Sequence, residues 1–204
     1  MKVAVLASGS GSTFEALVHA YKAGITEARP SLVISNNSDA GVFKRVARMN
    51  DQYGLKIQAA HISGATHPGG AGARGEQTLE EANAILERIS GFELGLYLGY
   101  MKKAHPILVN QGPLQINTHP GPLPETKGLH GIHVQEAVIE MGLGYSAQTL
   151  HIVNEEYDNG TILASHRVHV LETDTPESLF ESVQLVEKTW LPVDLQQVIQ
   201  SGLI

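Results

Sequence analysis

An asparagine and a histidine stand two positions apart, Asn117 and His119, at the end of the apolar run Leu114–Thr118 and directly before Pro120. A β-strand alternates its faces with a period of two, so these side chains share one face while Ile116 and Thr118 take the other. Pro120 has no N–H to give a ladder, so the strand stops there. The pair is thereby aimed into the space beyond a strand's carboxyl end, where open α/β sheets hold their ligands. The acidic loop Asn154-Glu155-Glu156-Tyr157-Asp158-Asn159-Gly160 offers a third group, Asp158. An amide donor, an imidazole and a carboxylate are the parts needed when a carbonyl gathers negative charge and an amine loses a proton. Glu155 and Glu156 read as a solvated hairpin surface, and Asn159-Gly160 as its turn.

A second constellation lies near the amino terminus, in Ala7-Ser8-Gly9-Ser10-Gly11-Ser12-Thr13. Glycines between a strand and a helix let backbone N–H groups approach an anion, and the helix end adds partial positive charge. Ser10, Ser12 and Thr13 add hydroxyl donors. A dinucleotide loop would need glycine where Phe14 stands and an acid where Asn36 and Asn37 stand. A Walker loop would need a lysine before the Ser/Thr, and none is present. The loop therefore suits a monophosphate, or is a tight strand–helix turn with a cap; the residues alone leave both open.

The elements that must position these groups alternate. Strands are expected at Val3–Ala7, Leu32–Ser35, Leu55–Ile62, Leu94–Leu98 and Leu114–Thr118. Helices are expected at Ser12–Ala23 with Gly24 at its end, Gly41–Asp51 and Glu76–Ile89. Repeated β-α-β units imply a doubly wound α/β fold with a mostly parallel twisted sheet. Val134–Met141 is a further helix. Tyr145–Val153 and Thr161–Val170 predict an antiparallel pair at the C-terminal side of the sheet. Pro176 opens a last helix carrying Leu179, Val183, Val186 and Trp190. Thr175 is its N-cap, with Ser178 where a glutamate would complete a capping box. The glycine-rich stretch 63–75 reads as a lid or a plain connection. One domain is expected, with the candidate phosphate loop in a half at 1–100 and the candidate catalytic groups in a half at 101–204.

Composition narrows the function classes. The 204 residues carry a formal net charge of -7 and no cysteine. Disulfides, zinc–thiolate sites and cysteine nucleophiles are excluded, and the lack of a Lys/Arg run argues against nucleic acid or an anionic membrane as partner. No apolar run is long enough to span a bilayer, and the short N-terminal apolar run, broken by Gly9 and Gly11, reads as a strand. A cytoplasmic location is expected. Ten histidines invite a metal, but the His130/His133 and His166/His169 spacings match no metal motif, so no metal is expected.

Taken with Gly99-Tyr100-Met101-Lys102, Leu123-Pro124 and Gly128-Leu129-His130, these motifs resemble the glycinamide ribonucleotide formyltransferase family almost end to end. The resemblance implies transfer of a formyl group from 10-formyltetrahydrofolate, as co-substrate, to the primary amine of a phosphorylated acceptor in purine synthesis. It places the family's catalytic residues on Asn117, His119 and Asp158. The phosphate loop falls on Gly11, Ser12 and Thr13, with Arg74 as a loop arginine and Glu187 as the holder of the amine. His130 becomes a supporting neighbour. The folate is expected between Tyr100, Met101, Lys102, Lys103 and Ala104 on one side and Ile152, Asn154 and Glu155 on the other, with Leu98 as a further wall. His119, charged or giving a proton, would share the oxyanion with Asn117, and Asp158 would favour its protonated form. Thr13 replaces a common asparagine, Lys102 an arginine, and Gly121-Pro122 a small residue and leucine; these departures bear on which amine is formylated. A monomer or homodimer acting on small molecules is expected. Alternatives are an amino sugar nucleotide as acceptor, a formyl-folate hydrolase, or a non-catalytic binder of phosphorylated ligands. The phosphate loop argues against the tRNA-directed relatives, and neither their added C-terminal domain nor the regulatory domain usual in the hydrolases is expected here.

Overall fold

A computed structural model describes residues 1–69 and 75–204. Elements run β1 (Lys2–Leu6), α1 (Ser12–Lys22), β2 (Arg29–Ser35), α2 (Val42–Tyr53), β3 (Gln58–His61), α3 (Leu79–Ile89) and β4 (Leu94–Tyr97). They continue with α4 (Pro106–Gln111), β5 (Leu114–His119), α5 (Ile132–Glu140), β6 (Tyr145–Ile152), β7 (Ile162–His169) and α6 (Pro176–Gln200). One seven-stranded sheet has the order β3-β2-β1-β4-β5-β6-β7. It is parallel from β3 to β5 and antiparallel across β5–β6 and β6–β7.

Alternation along the strands builds two cores. In β1, Val3 and Val5 pack into one cluster with Phe14, Leu17, Val42, Leu191 and Leu195. Ala4 and Leu6 pack into another with Ile85, Ile89 and Leu108. Helices therefore cover both faces, which buried parallel strands require. The order reverses between β1 and β4, and at such a switch point the two loops diverge and leave a crevice. Ser8 ties the two sides together: its N–H donates to Gly99 O at 3.1 Å, and its hydroxyl accepts from the Met101 N–H at 2.8 Å.

The structure shifts several expected boundaries. Helix α3 starts at Leu79, because Thr78 and Glu81 form a full capping box; Glu76, expected inside the helix, instead bridges Lys103. Helix α4 was not expected. Pro106 sits in its first turn, and the His105 ring accepts from the Ile107 N–H. At α6 the capping box is complete after all: the Ser178 hydroxyl accepts from the Thr175 N–H at 3.0 Å while Thr175 Oγ1 accepts from the Ser178 N–H at 3.3 Å. A serine thus does what the glutamate of the usual pattern does. Trp190, expected in the core stripe of α6, is 42% exposed and stacks on His166, whose Nε2 meets the Asp194 carboxylate. In the stretch 63–75, Ser63 to His67 form a hydrogen-bonded turn. Arg74 lies outside the described residues. No helix among those described is long and apolar enough to cross a membrane.

Candidate active site

The loop after β1 owes its shape to Gly11, which takes φ 74° as the N-cap of α1. A β-carbon there would meet the Val42 backbone at 2.8 Å and its side chain closer still, so only glycine lets α1 start against α2. The first N–H groups of α1 have no partner within the helix and open, with Gly9 to Thr13, into a cleft of about 230 Å³. Arg45 stands beside them, its Nε donating to Ser10 O at 2.8 Å; nothing in the sequence had singled it out. The Thr13 hydroxyl is turned away from this cradle. It donates to Glu187 at 3.0 Å, and the Thr118 hydroxyl donates to the other carboxylate oxygen at 2.5 Å. Thr13 therefore offers an anion only its backbone N–H. Burial raises the Glu187 pKa above the usual carboxylate value, opposed by the two hydroxyls and Lys188.

Asn117, His119 and Asp158 converge at the far side of the same cleft. They do so because β5 ends at Pro120 with both side chains on one face, and because the loop after β6 folds back. Gly160 allows that return: a β-carbon there would collide with the Ile152 carbonyl. Asp158 takes φ 50°, a left-handed conformation that aspartate tolerates better than most residues. Its Oδ2 lies 3.5 Å from His119 Nδ1 and accepts from the Gly128 N–H at 3.2 Å. Its Oδ1 lies 3.5 Å from Asn117 Nδ2 and 3.5 Å from His151 Nε2.

His151 was missed by the sequence reading, yet it lies opposite Asn117 in the β5–β6 ladder. Its Nδ1 meets the Ile152 carbonyl at 3.0 Å, so Nδ1 carries the proton and Nε2 accepts from the Asn117 amide at 3.0 Å. This orients Asn117 with Nδ2 between His151 and Asp158. Asp158 favours the protonated form of His119, as expected, but burial weighs more. His119 is 3% exposed, and its burial outweighs the Asp158 charge and lowers its pKa to about 4, with His151 adding to the fall. At neutral pH the imidazole is uncharged.

A narrower slot adjoins the cleft, and the two share Tyr100, Asn117, Tyr157 and Asp158. Of the residues expected around a folate, Tyr100, Lys102, Lys103, Ala104 and Asn154 line this slot. Met101 and Leu98 line the cleft instead. Ile152 is paired with Ile116 in the ladder. Glu155 is on the surface, accepting from Asn110 at 3.0 Å. Neither Ile152 nor Glu155 borders the slot. Lys102 is held by the fully buried Glu81 at 2.5 Å. Burial pushes the Tyr100 phenol up to about 12, so it stays neutral. His130 lines the cleft and packs edge-on to His133. Among the described residues no three acidic or histidine side chains are grouped to hold a metal.

Residues 1–195 match the model of a family described as formyl transferase. The chain is 36% identical over 185 residues to the chloroplastic phosphoribosylglycinamide formyltransferase of Arabidopsis thaliana, covering 89% of this chain and 60% of that protein. It is 29% identical over 200 residues to the phosphoribosylglycinamide formyltransferase of Bacillus subtilis, covering 97% and 94%. The chain thus spans about 60% of the length of the plant relatives it matches. The crystal structure of phosphoribosylglycinamide formyltransferase from Bacillus halodurans superimposes with a TM-score of 0.84 at 27% identity, covering 99% of this chain and 97% of that one.

Proposed function

Because the chain belongs to the formyl transferase family, we propose that it carries a formyl group from 10-formyltetrahydrofolate to the primary amine of glycinamide ribonucleotide. The observation that carries this reading is the meeting of two cavities at Asn117 and Asp158. One has an anion cradle at its far end, and the other has a lining suited to a flat heterocycle. A two-substrate transfer needs this arrangement, since holding both reactants at one point supplies much of the rate. The phosphate of the acceptor rests on the N–H groups of Gly11, Ser12 and Thr13, within residues 1–100. Residues 101–204 bring the catalytic groups and most of the folate slot, where Ala104, Val153 and Asn154, with Tyr97 and Tyr100 from the first half, face the pterin. Glu187 accepts from the amine, and the resemblance assigns Arg74 to the phosphate.

The amine nitrogen adds to the formyl carbon, and the carbonyl electron pair moves onto oxygen. Asn117 Nδ2 exchanges its long contact with Asp158 for that oxygen. Losing such a donor costs about 2.7–4 kcal/mol, or roughly a hundred- to thousand-fold in rate. The nitrogen, now cationic, passes its proton to the uncharged His119 at Nδ1, and Asp158 stabilises the imidazolium. The proton then goes to the folate nitrogen as the carbon–nitrogen bond to the donor breaks.

The test supplies formyl-folate with and without glycinamide ribonucleotide and follows both deformylated folate and formylated acceptor. Transfer that requires the acceptor is the expected result. Formate release without acceptor would instead make the protein a hydrolase, and ligand binding with neither reaction would make it a binder.

A further inference from the structure

We infer that Thr126 is a positioning residue that fixes which nitrogen of His119 carries the proton. The side chain of Thr126 is fully buried, and its Oγ1 lies 2.9 Å from His119 Nε2. The same hydroxyl donates to the Pro122 carbonyl at 2.7 Å, and the Thr126 backbone N–H reaches that carbonyl at 3.0 Å. A hydroxyl has one proton. With that proton committed to Pro122, Thr126 Oγ1 can only accept from His119, so the uncharged ring is the Nε2–H tautomer. Nδ1 is then the bare nitrogen, on the side of Asp158.

Left to itself the ring would prefer the opposite arrangement. An Nδ1–H pointing at the Asp158 carboxylate makes a charge-assisted hydrogen bond, whereas a bare Nδ1 faces like electron density. Thr126 reverses this preference and keeps the nitrogen beside Asp158 free to take a proton.

Gly121 makes room for the hydroxyl. A β-carbon at position 121 would collide with Thr126 Oγ1 and Val134 Cγ1. The Gly121 carbonyl is itself anchored by the Thr149 hydroxyl at 2.8 Å. The Gly121-Pro122 departure noted in the sequence is therefore the geometric partner of Thr126.

The kinetic consequence rests on the formyl-transfer reading; the tautomer does not. The experiment records nitrogen-15 NMR of the His119 ring in the free protein at neutral pH, assigned by the signals that vanish in His119→Gln, alongside formyl-transfer kinetics. Wild type should show a protonated Nε2 and a bare Nδ1. In Thr126→Val, which keeps the side chain's volume, the proton should move to Nδ1. Its kcat should fall about tenfold, the scale of one ordinary hydrogen bond, with KM for the acceptor unchanged. Thr126→Ser should restore both tautomer and rate. A wild-type ring protonated at Nδ1 would overturn the assignment, as would a Thr126→Val protein whose rate falls with the tautomer unmoved. The ring signals decide the point even where no formyl transfer is detected, so the two readings fail separately.

Discussion

Replacing Asp158 by asparagine separates the charge of this side chain from its shape. Its backbone φ of 50° is one that asparagine also adopts readily, so the loop keeps its path. What changes is the field at His119. A proton arriving on Nδ1 finds the Asp158 Oδ2 at 3.5 Å, and two unit charges at that separation attract by about 4–5 kcal/mol at an effective dielectric of about 20. The neutral amide forfeits this attraction in the step where the ring becomes charged. At about 1.4 kcal/mol per decade, kcat should fall about a thousandfold. A second effect has the same sign. Both carboxylate oxygens accept here, from Gly128 and from Asn117, and the new NH₂ must oppose one of those donors. That mismatch should lower stability by about 1–3 kcal/mol. The assay is formyl transfer at saturating concentrations of both substrates, with urea unfolding on the same preparations. KM for the acceptor should barely move, because the proposed function rests its phosphate at the start of α1. An Asp158→Asn protein with kcat within about tenfold of wild type would show that no charge develops on His119 during the rate-limiting step.

Two further outcomes follow from burial of titratable groups. Burial holds the His119 pKa down to about 4, against about 6.5 in an unfolded chain. Between those values the unfolded chain binds a proton that the folded one does not, so stability rises with pH across that window and is lost as pH falls through it, by about 3 kcal/mol in all. His119→Gln should flatten this slope in urea unfolding over a pH series; parallel curves for the two proteins would contradict the buried neutral ring. Glu187 has the opposite sign, because its pKa is raised. From the usual carboxylate value up to its folded value, the folded protein keeps a proton that the unfolded chain has lost, so stability falls as pH rises. Glu187→Gln should remove that fall and be at least as stable as wild type at neutral pH, while a lower unfolding midpoint would show that ionised Glu187 is a net stabilising partner of Thr13 and Thr118.

The parts of the site that could be read from the sequence are those set by local rules. Alternation and the stop at Pro120 put Asn117 and His119 on one face beyond β5, and the structure has them there. The glycine loop before α1 was legible for the same reason: a positive φ at Gly11 answers to a local need of the backbone. What escaped was decided by distant parts of the chain. Thr13 read as a donor to an anion, but its hydroxyl is taken by Glu187, which the fold brings from the last helix. The α4 helix escaped because its six residues are too few for a periodic pattern to emerge.

His151 and Thr149 show why even a correctly expected strand hid its function. Their side chains share a face with Asn117 and His119 only because β6 pairs Asn117 with His151 and His119 with Thr149. A slip of one residue would turn that whole set to the other side of the sheet. Where one face of a strand meets water, the pattern of apolar residues forbids such a slip. In β6 the six residues from Ser146 to His151 are all buried, so both faces lie against packed protein and alternation carries no signal. Register there is set by partners on both sides: Ser146 on Gln135 of α5, Thr149 on the Gly121 carbonyl, and His151 on Asn117. The side-chain hydrogen bonds that hold the strand in place therefore include one that orients the Asn117 amide. Stability and site geometry are coupled at this strand, and substitutions at His151 should be judged by both unfolding and turnover.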